Sequence, residues 1–317
     1  MRRLLITLLV FIALGVAGFF VLTDPRVVSP GPEIGTLPAP DVENGKLLFA
    51  AGGCASCHAT PGQDDKLRLG GGLVLGSPFG RFHVPNISPH TRDGIGNWGT
   101  ADFIQAMTAG VSPSGQHYYP AFPYTSYRLM PVKAVADLLA YIRTLPAVEG
   151  RTPAHELAFP LNIRRIVGGW KLLFFDGAPF KADPSKSEEW NRGAYLVQGP
   201  GHCAECHSSR NGLGAIVQAT RFAGGPDPEG KGWVPNITQA EDGLGKWSKA
   251  EIAELLKSGF TPDFDSVGGL MAAVVRNTAQ LSDADRLAMA EFLKSLPAVQ
   301  GPPRPQKPAG EAGAGAG

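Results

Sequence analysis

Cys54-Ala55-Ser56-Cys57-His58 and Cys203-Ala204-Glu205-Cys206-His207 decide the reading of this chain. Both are C-x-x-C-H, the spacing that covalent attachment of c-type haem requires. Two thiols one helical turn apart can each form a thioether with a haem vinyl group, and the adjacent histidine then lies beneath the macrocycle as proximal iron ligand. Cys54, Cys57, Cys203 and Cys206 are therefore expected to bind two haems c covalently, with His58 and His207 on the irons. A zinc ribbon brings its two knuckles much closer together in sequence. Disulfides would leave both trailing histidines without a role. The chain has 4 cysteines, and the two motifs use them all.

Outward from the motifs, the 317 residues suffice for two domains. A formal net charge of +1 excludes a nucleic-acid partner on electrostatic grounds. Met1-Arg2-Arg3 precedes an apolar run from Leu4 to Leu22 of bilayer-spanning length. The leading arginines predict a cytoplasmic N-terminus. A cleaved signal peptide is the competing reading, but Ala13-Leu14-Gly15 is a poor cleavage site and Phe19-Phe20-Val21-Leu22 prolongs the run. The expected organisation is an anchor over 1–23 and a Pro- and Gly-rich linker over 24–40, then a first domain over 41–150. A connector over 151–190 and a second domain over 191–300 follow, with a disordered tail over 301–317.

The two halves are copies. Cys54 maps to Cys203 at an offset of 149, Val84-Pro85-Asn86-Ile87-Ser88 to Val234-Pro235-Asn236-Ile237-Thr238 at 150, and Leu145-Pro146 to Leu296-Pro297 at 151. The second copy thus gains two residues between Gly259 and Leu281. In each copy a short helix leads into the motif, from Gly45 to Ala51 and from Gly193 to Val197. A second helix opens in the later copy on a Ser248-x-x-Glu251 capping box, and Gly110 and Gly259 sit where C-terminal caps belong. A last helix runs from about Val132 to Arg143 and from about Asp283 to Lys294. This predicts a mainly α fold, two class I cytochrome c domains in tandem behind an N-terminal transmembrane helix.

The sixth ligand decides what each iron does, because methionine closes it for electron transfer and an open position admits small molecules. Met271, in a loop ahead of the last helix, is the expected ligand in the second copy. Its counterpart at the same offset is Phe122, which cannot ligate. Met130 is the first choice in the first copy, with His83, His90 and His117 as other candidates and Met107 assigned to the core. Plain packing is the competing role for Met130, whose counterpart is Leu281.

Asn44-Gly45-Lys46, Ser77-Pro78-Phe79-Gly80, the Pro-Asn loops, Tyr119-Pro120-Ala121-Phe122-Pro123-Tyr124 and the stretch from Leu281-Ser282-Asp283 to Pro297 resemble the multihaem cytochrome c subunit of bacterial membrane-bound alcohol, aldehyde and gluconate dehydrogenases. The resemblance runs from about residue 41 to 300 and includes the connector. It implies electron transfer as the function, a periplasmic dehydrogenase or other electron donor, and a downstream cytochrome or terminal oxidase as acceptor. Family members usually carry three haem domains and a C-terminal membrane segment; two domains and an N-terminal anchor depart from that pattern. Relatives with Phe at the place of Phe122 often show Met near Met130. The expected location is the inner membrane, by a single N-terminal anchor, with the haem domains in the periplasm.

In the connector, Arg164, Arg165, Trp170 and Lys171 are placed across the seam between domains, the arginines facing haem propionates; a solvated basic patch is the alternative. Asn86 and Asn236, with Trp98 and Trp247, recur in both copies, either near each haem edge or as loop braces. The competing function is a dihaem peroxidase-like oxidoreductase with an open or labile first haem, for which His117 or Tyr118 would be the acid–base group.

Overall fold

Asp41 begins the first globular unit by capping its helix, accepting from the backbone N–H of Glu43 and Asn44 at 3.0 Å each. The computed structural model describes residues 1–230 and 232–304; most of the expected disordered tail, from 305 onward, lies outside them. Its helices are α1 (Arg2–Leu22), α2 (Pro25–Val28), α3 (Val42–Ala51), α4 (Cys54–His58), α5 (Thr100–Ala109), α6 (Tyr124–Tyr127), α7 (Val132–Ile142), α8 (Arg165–Phe174), α9 (Glu188–Gln198), α10 (Lys249–Ser258), α11 (Gly269–Thr278) and α12 (Asp283–Lys294). Strands β1 (Val74–Ser77), β2 (Gly80–His83) and β3 (Glu156–Leu157) form an antiparallel sheet. The pair β4 (Gly225–Pro226) and β5 (Trp233–Val234) is separate.

The units are built alike. In the first, α3 crosses α7, burying Leu48, Val135, Leu138, Leu139 and Ile142. In the second, α9 crosses α12 over Leu196, Val197, Ala290 and Phe292. Both crossings are close enough to need glycine. A Cβ on Gly45 would collide with the carbonyl of Asp137, and one on Gly193 with that of Ala288. The capping box of Ser248 and Glu251 forms as expected, and α5 and α10 end on Gly110 and Gly259 at φ 61° and 81°.

The copies differ ahead of the last helix. Pro120 and Pro123 restrict the first copy to the single turn of α6, whereas the second copy has no proline from Gly269 to Thr278 and forms the ten residues of α11. The two extra residues of the second copy are absorbed here. Met271 is therefore helical, not in a loop as expected.

The connector is shared. Its strand β3 extends the hairpin of the first unit, with Arg81 opposite Glu156, and Trp170 Nε1 donates to the carbonyl of Leu213 in the second unit at 3.0 Å. Arg164 and Arg165 do not lie across the seam. Arg164 donates to the carbonyl of His117 and stacks over Tyr119, while Arg165 binds Thr23, Asp24 and the carbonyl of Phe20 where α1 ends. Arg165 is drawn there because the turn after α1 exposes a carbonyl and a carboxylate to it, and Arg164 by the carbonyl of His117. Lys171 is fully buried, donating to the carbonyls of Ala109 and Gly110 at 2.6 and 2.9 Å and so closing the C-terminus of α5.

Candidate haem sites

Each motif begins after a left-handed residue, Gly53 at φ 59° in the first copy and His202 at φ 38° in the second. Cys54 to His58 then form one α-turn, and Cys203 to Glu205 a 3₁₀ turn. Both geometries put the two thiols about one turn apart. None of the four cysteines is in a disulfide. Burial pushes the unreacted thiols of Cys54 and Cys203 up to about 12 and that of Cys206 up to about 11.

The histidines are seated identically. His58 Nδ1 lies 2.8 Å from the carbonyl of Pro85, and His207 Nδ1 lies 2.8 Å from the carbonyl of Pro235. Donation from Nδ1–H fixes the tautomer that leaves the Nε2 lone pair free for iron. Burial pushes His58 down to about 4 and lowers His207 as well, so both imidazoles are neutral and ready to ligate.

The proline carbonyls are held by the next residue. Asn86 Nδ2 donates to Val148 and Gly150 carbonyls at 2.7 and 3.0 Å, and its Oδ1 accepts from Ser88 N–H at 2.9 Å. Asn236 does the same with Val299 at 2.9 Å and Thr238 N–H at 2.8 Å. The recurrent asparagines thus brace the loop that orients the proximal histidine. Paired thiols, a free Nε2 opposite a braced Nδ1, and the repetition of both in each copy fit covalent haem c.

The expected sixth ligands each lie against the core of their own unit. Met130 is buried, 2 % exposed, among the core residues that also contact Cys54. Met271 is half-buried against the core that contacts Cys203, one turn before Val275 on the inward stripe of α11. Leu281, the counterpart of Met130, is buried in its own core, as is Met107. The histidine candidates have other partners. His83 Nε2 meets Glu156 at 2.8 Å, His90 Nδ1 accepts from Asp93 N–H at 3.1 Å, and His117 Nε2 donates to the carbonyl of Thr23 at 2.9 Å.

Three residues that sequence reasoning passed over stand between the motifs. Glu205, inside the second motif, accepts from Thr125 Oγ1 at 2.7 Å, Ser126 Oγ at 3.0 Å and Arg210 at 2.7 Å. Burial raises its carboxyl, but the Arg210 charge and these donors more than compensate and hold it below the ordinary value. Tyr127 is buried with its ring 5.6 Å from that of His202, and burial raises its phenol well above the usual range. The Arg221 guanidinium stacks on Phe222 at 4.9 Å and, among the described residues, makes no hydrogen bond or ion pair. A glutamate at a free position of C-x-x-C-H was the one available signal.

The cytochrome c family profile matches residues 42–146 and 191–297. A dihaem cytochrome c-type protein of Cereibacter sphaeroides is 48% identical over 302 residues, covering 95% of this chain and all of that protein. The fructose dehydrogenase cytochrome subunit of Gluconobacter japonicus is 36% identical over 87% of this chain and 57% of its own length. The cytochrome c subunit of the quinone-linked alcohol dehydrogenase of Gluconobacter oxydans is 35% identical over 81% of this chain and 55% of its own length.

Proposed function

The chain belongs to the cytochrome c family, carries the family's domain twice and binds two haems c; from that premise we propose that it is a membrane-held carrier. It takes electrons from a periplasmic dehydrogenase, or another donor, and passes them to a downstream cytochrome or terminal oxidase. Bound haem supplies a one-electron couple whose potential its axial ligands and surroundings set. Cys54 and Cys57, and Cys203 and Cys206, would form the thioethers; His58 and His207 would ligate the irons, and Met130 and Met271 would be their second protein ligands.

The observation that carries this reading is the repeated seat of His58 and His207, each at 2.8 Å from a proline carbonyl braced by an asparagine. A ligand held this firmly moves little when the iron changes charge. Of the two acid–base candidates, His117 is tied to the carbonyl of Thr23. The dehydrogenase donor is supported by the relatives named as cytochrome subunits of dehydrogenases.

Anchoring is supported by α1, whose 21 residues rise roughly 30 Å and bury none of their number until Thr23. The chain just beyond is bound into the fold, with Thr23 fully buried and held by His117 and Arg165. That contact favours a retained anchor over a cleaved leader, with the cytoplasm at the N-terminus and both domains in the periplasm. The test is the ferrous optical spectrum of the full chain in detergent, with and without carbon monoxide. An unchanged spectrum is expected from two closed irons; a prompt shift would mean an open iron and an enzyme.

A further inference from the structure

Helix α8 presents three flanks. Val167, Gly168 and Lys171 are buried. A second flank meets the end of α1. There the Arg165 guanidinium lies 5.6 Å from the centre of the Phe20 ring and donates to the Phe20 carbonyl and, at 3.0 Å, to Thr23 Oγ1. A Cβ on Gly169 would stand 3.6 Å from the Phe19 ring. Three and four residues beyond Gly169 come Leu172 and Leu173, 50% and 69% exposed, followed by exposed Phe174. They continue the row that touches α1, because residues three and four apart share a helix face. Phe159, 80% exposed, and exposed Ile163 precede the same helix.

Large apolar side chains clustered in the open mark an interaction surface. Its occupant follows from its neighbour. Phe19 and Phe20 belong to the last turn of a helix whose large apolar side chains from Leu4 to Leu22 are all exposed, so they mark where α1 reaches the lipid–water boundary. Residues packed beside them are at that depth. Arg26 and Arg165, next to this exit, supply cations at headgroup height, as interfacial segments do.

We propose that α8 is a second membrane contact, lying in the phospholipid interface with Leu172, Leu173 and Phe174, helped by Phe159 and Ile163, and turned inward to the protein through Lys171. The inference rests on α1 being retained as an anchor. It gives the connector a mechanical role. Helix α1 alone would leave the domains free to swivel, and a second contact fixes which face of the paired domains looks away from the membrane.

The full chain, reconstituted into phosphatidylethanolamine–phosphatidylglycerol vesicles, tests this with nitroxide labels at Leu173→Cys, Leu8→Cys and Leu287→Cys, one at a time. The thioethers leave no native thiol to compete. Leu8 probes the span, and Leu287, exposed on α12, probes water. The expected result is greater access to oxygen than to a water-soluble nickel chelate at 173, shallower than at 8, and the reverse at 287. Water at 173 with lipid at 8 overturns the α8 contact, keeps the anchor and leaves this face to a protein partner. Lipid at 173 with water at 8 keeps the contact and removes the anchor; water at both removes both. Leu172→Cys, at the neighbouring exposed position, repeats the reading if the label at 173 perturbs folding.

Discussion

Ser126 and Asn277 are counterparts at the 151 offset, and each reaches across to the other copy's motif. Ser126 Oγ donates to Glu205 at 3.0 Å, and Asn277 Nδ2 donates to Ser56 Oγ at 2.7 Å. Glu205 and Ser56 are themselves counterparts, at the 149 offset. One interaction is thus made twice, in opposite directions, which is the property of a two-fold interface. The loops before the motifs also meet directly, His202 Nε2 donating to the carbonyl of Gly52 at 3.3 Å. The duplicated domains pair like a dimer, with their haem-binding motifs at the seam.

Glu205 is the polar centre of that seam. Glu205→Ala leaves Arg210 and two hydroxyls without their shared acceptor in a half-buried place, and should lower stability by about 1–3 kcal/mol. Urea unfolding of the holoprotein measures it. A loss below about 1 kcal/mol, the range of an exposed pair, would show that the seam does not depend on Glu205.

Lys171 makes stability depend on pH. Burial pushes it from 10.5 down to about 7. Between those values the folded chain has released a proton that the unfolded chain keeps, so stability rises with pH there, by at most about 1.4 kcal/mol per unit. Below pH 7 the penalty is fully present, and above the unfolded value it is gone. Lys171→Met should remove this rise, seen as a wild-type-minus-variant difference in urea midpoints between pH 7 and 10. Parallel profiles would show that Lys171 titrates normally.

Asn86 and Asn236 should act locally. Asn86→Ala frees the Pro85 loop by removing its bonds to the Val148 and Gly150 carbonyls and to Ser88 N–H, costing about 1–3 kcal/mol, and should shift the potential of the first haem alone; Asn236→Ala should do so for the second. Spectroelectrochemical titration separates the two couples. Equal shifts of both couples from one variant would mean that the loops are not independent braces.

Gly193→Ala reverses the usual helix rule. In an open helix alanine is favoured over glycine by up to about 1 kcal/mol, but here the new methyl meets the Ala288 carbonyl, and a loss of about 1–3 kcal/mol is expected from overpacking. Thermal unfolding of the variant decides the sign.

Met130→Ala and Met107→Ala should both destabilise by about 2–5 kcal/mol, since both side chains are buried. Only the first should open an iron to carbon monoxide. If neither does, Met130 is packing like its counterpart Leu281, and the first iron is closed by another group or not at all.

Much of this is legible in the sequence. The motifs, the duplication, the capping box and the limits of α12 all depend on neighbours within a turn or two, where local chemistry decides. The destinations of Arg164 and Arg165 are not legible, because Thr23 and His117 come to them from far along the chain. The helix around Met271 is hidden by the repeat itself, since the prolines that keep the first copy's counterpart out of a long helix are absent from the second. Glu205 stands in plain view, but its meaning depends on Thr125 and Ser126 from the other copy. The register of the repeat, followed residue by residue, pairs Ser126 with Asn277.

The decisive measurement is the rate of electron equilibration after rapid reduction of one haem in the holoprotein. Motifs meeting across an internal two-fold seam predict a first-order phase whose rate is unchanged on dilution and slowed by Glu205→Ala. A rate that falls in proportion to protein concentration would mean that electrons move only between molecules, and would contradict the paired arrangement.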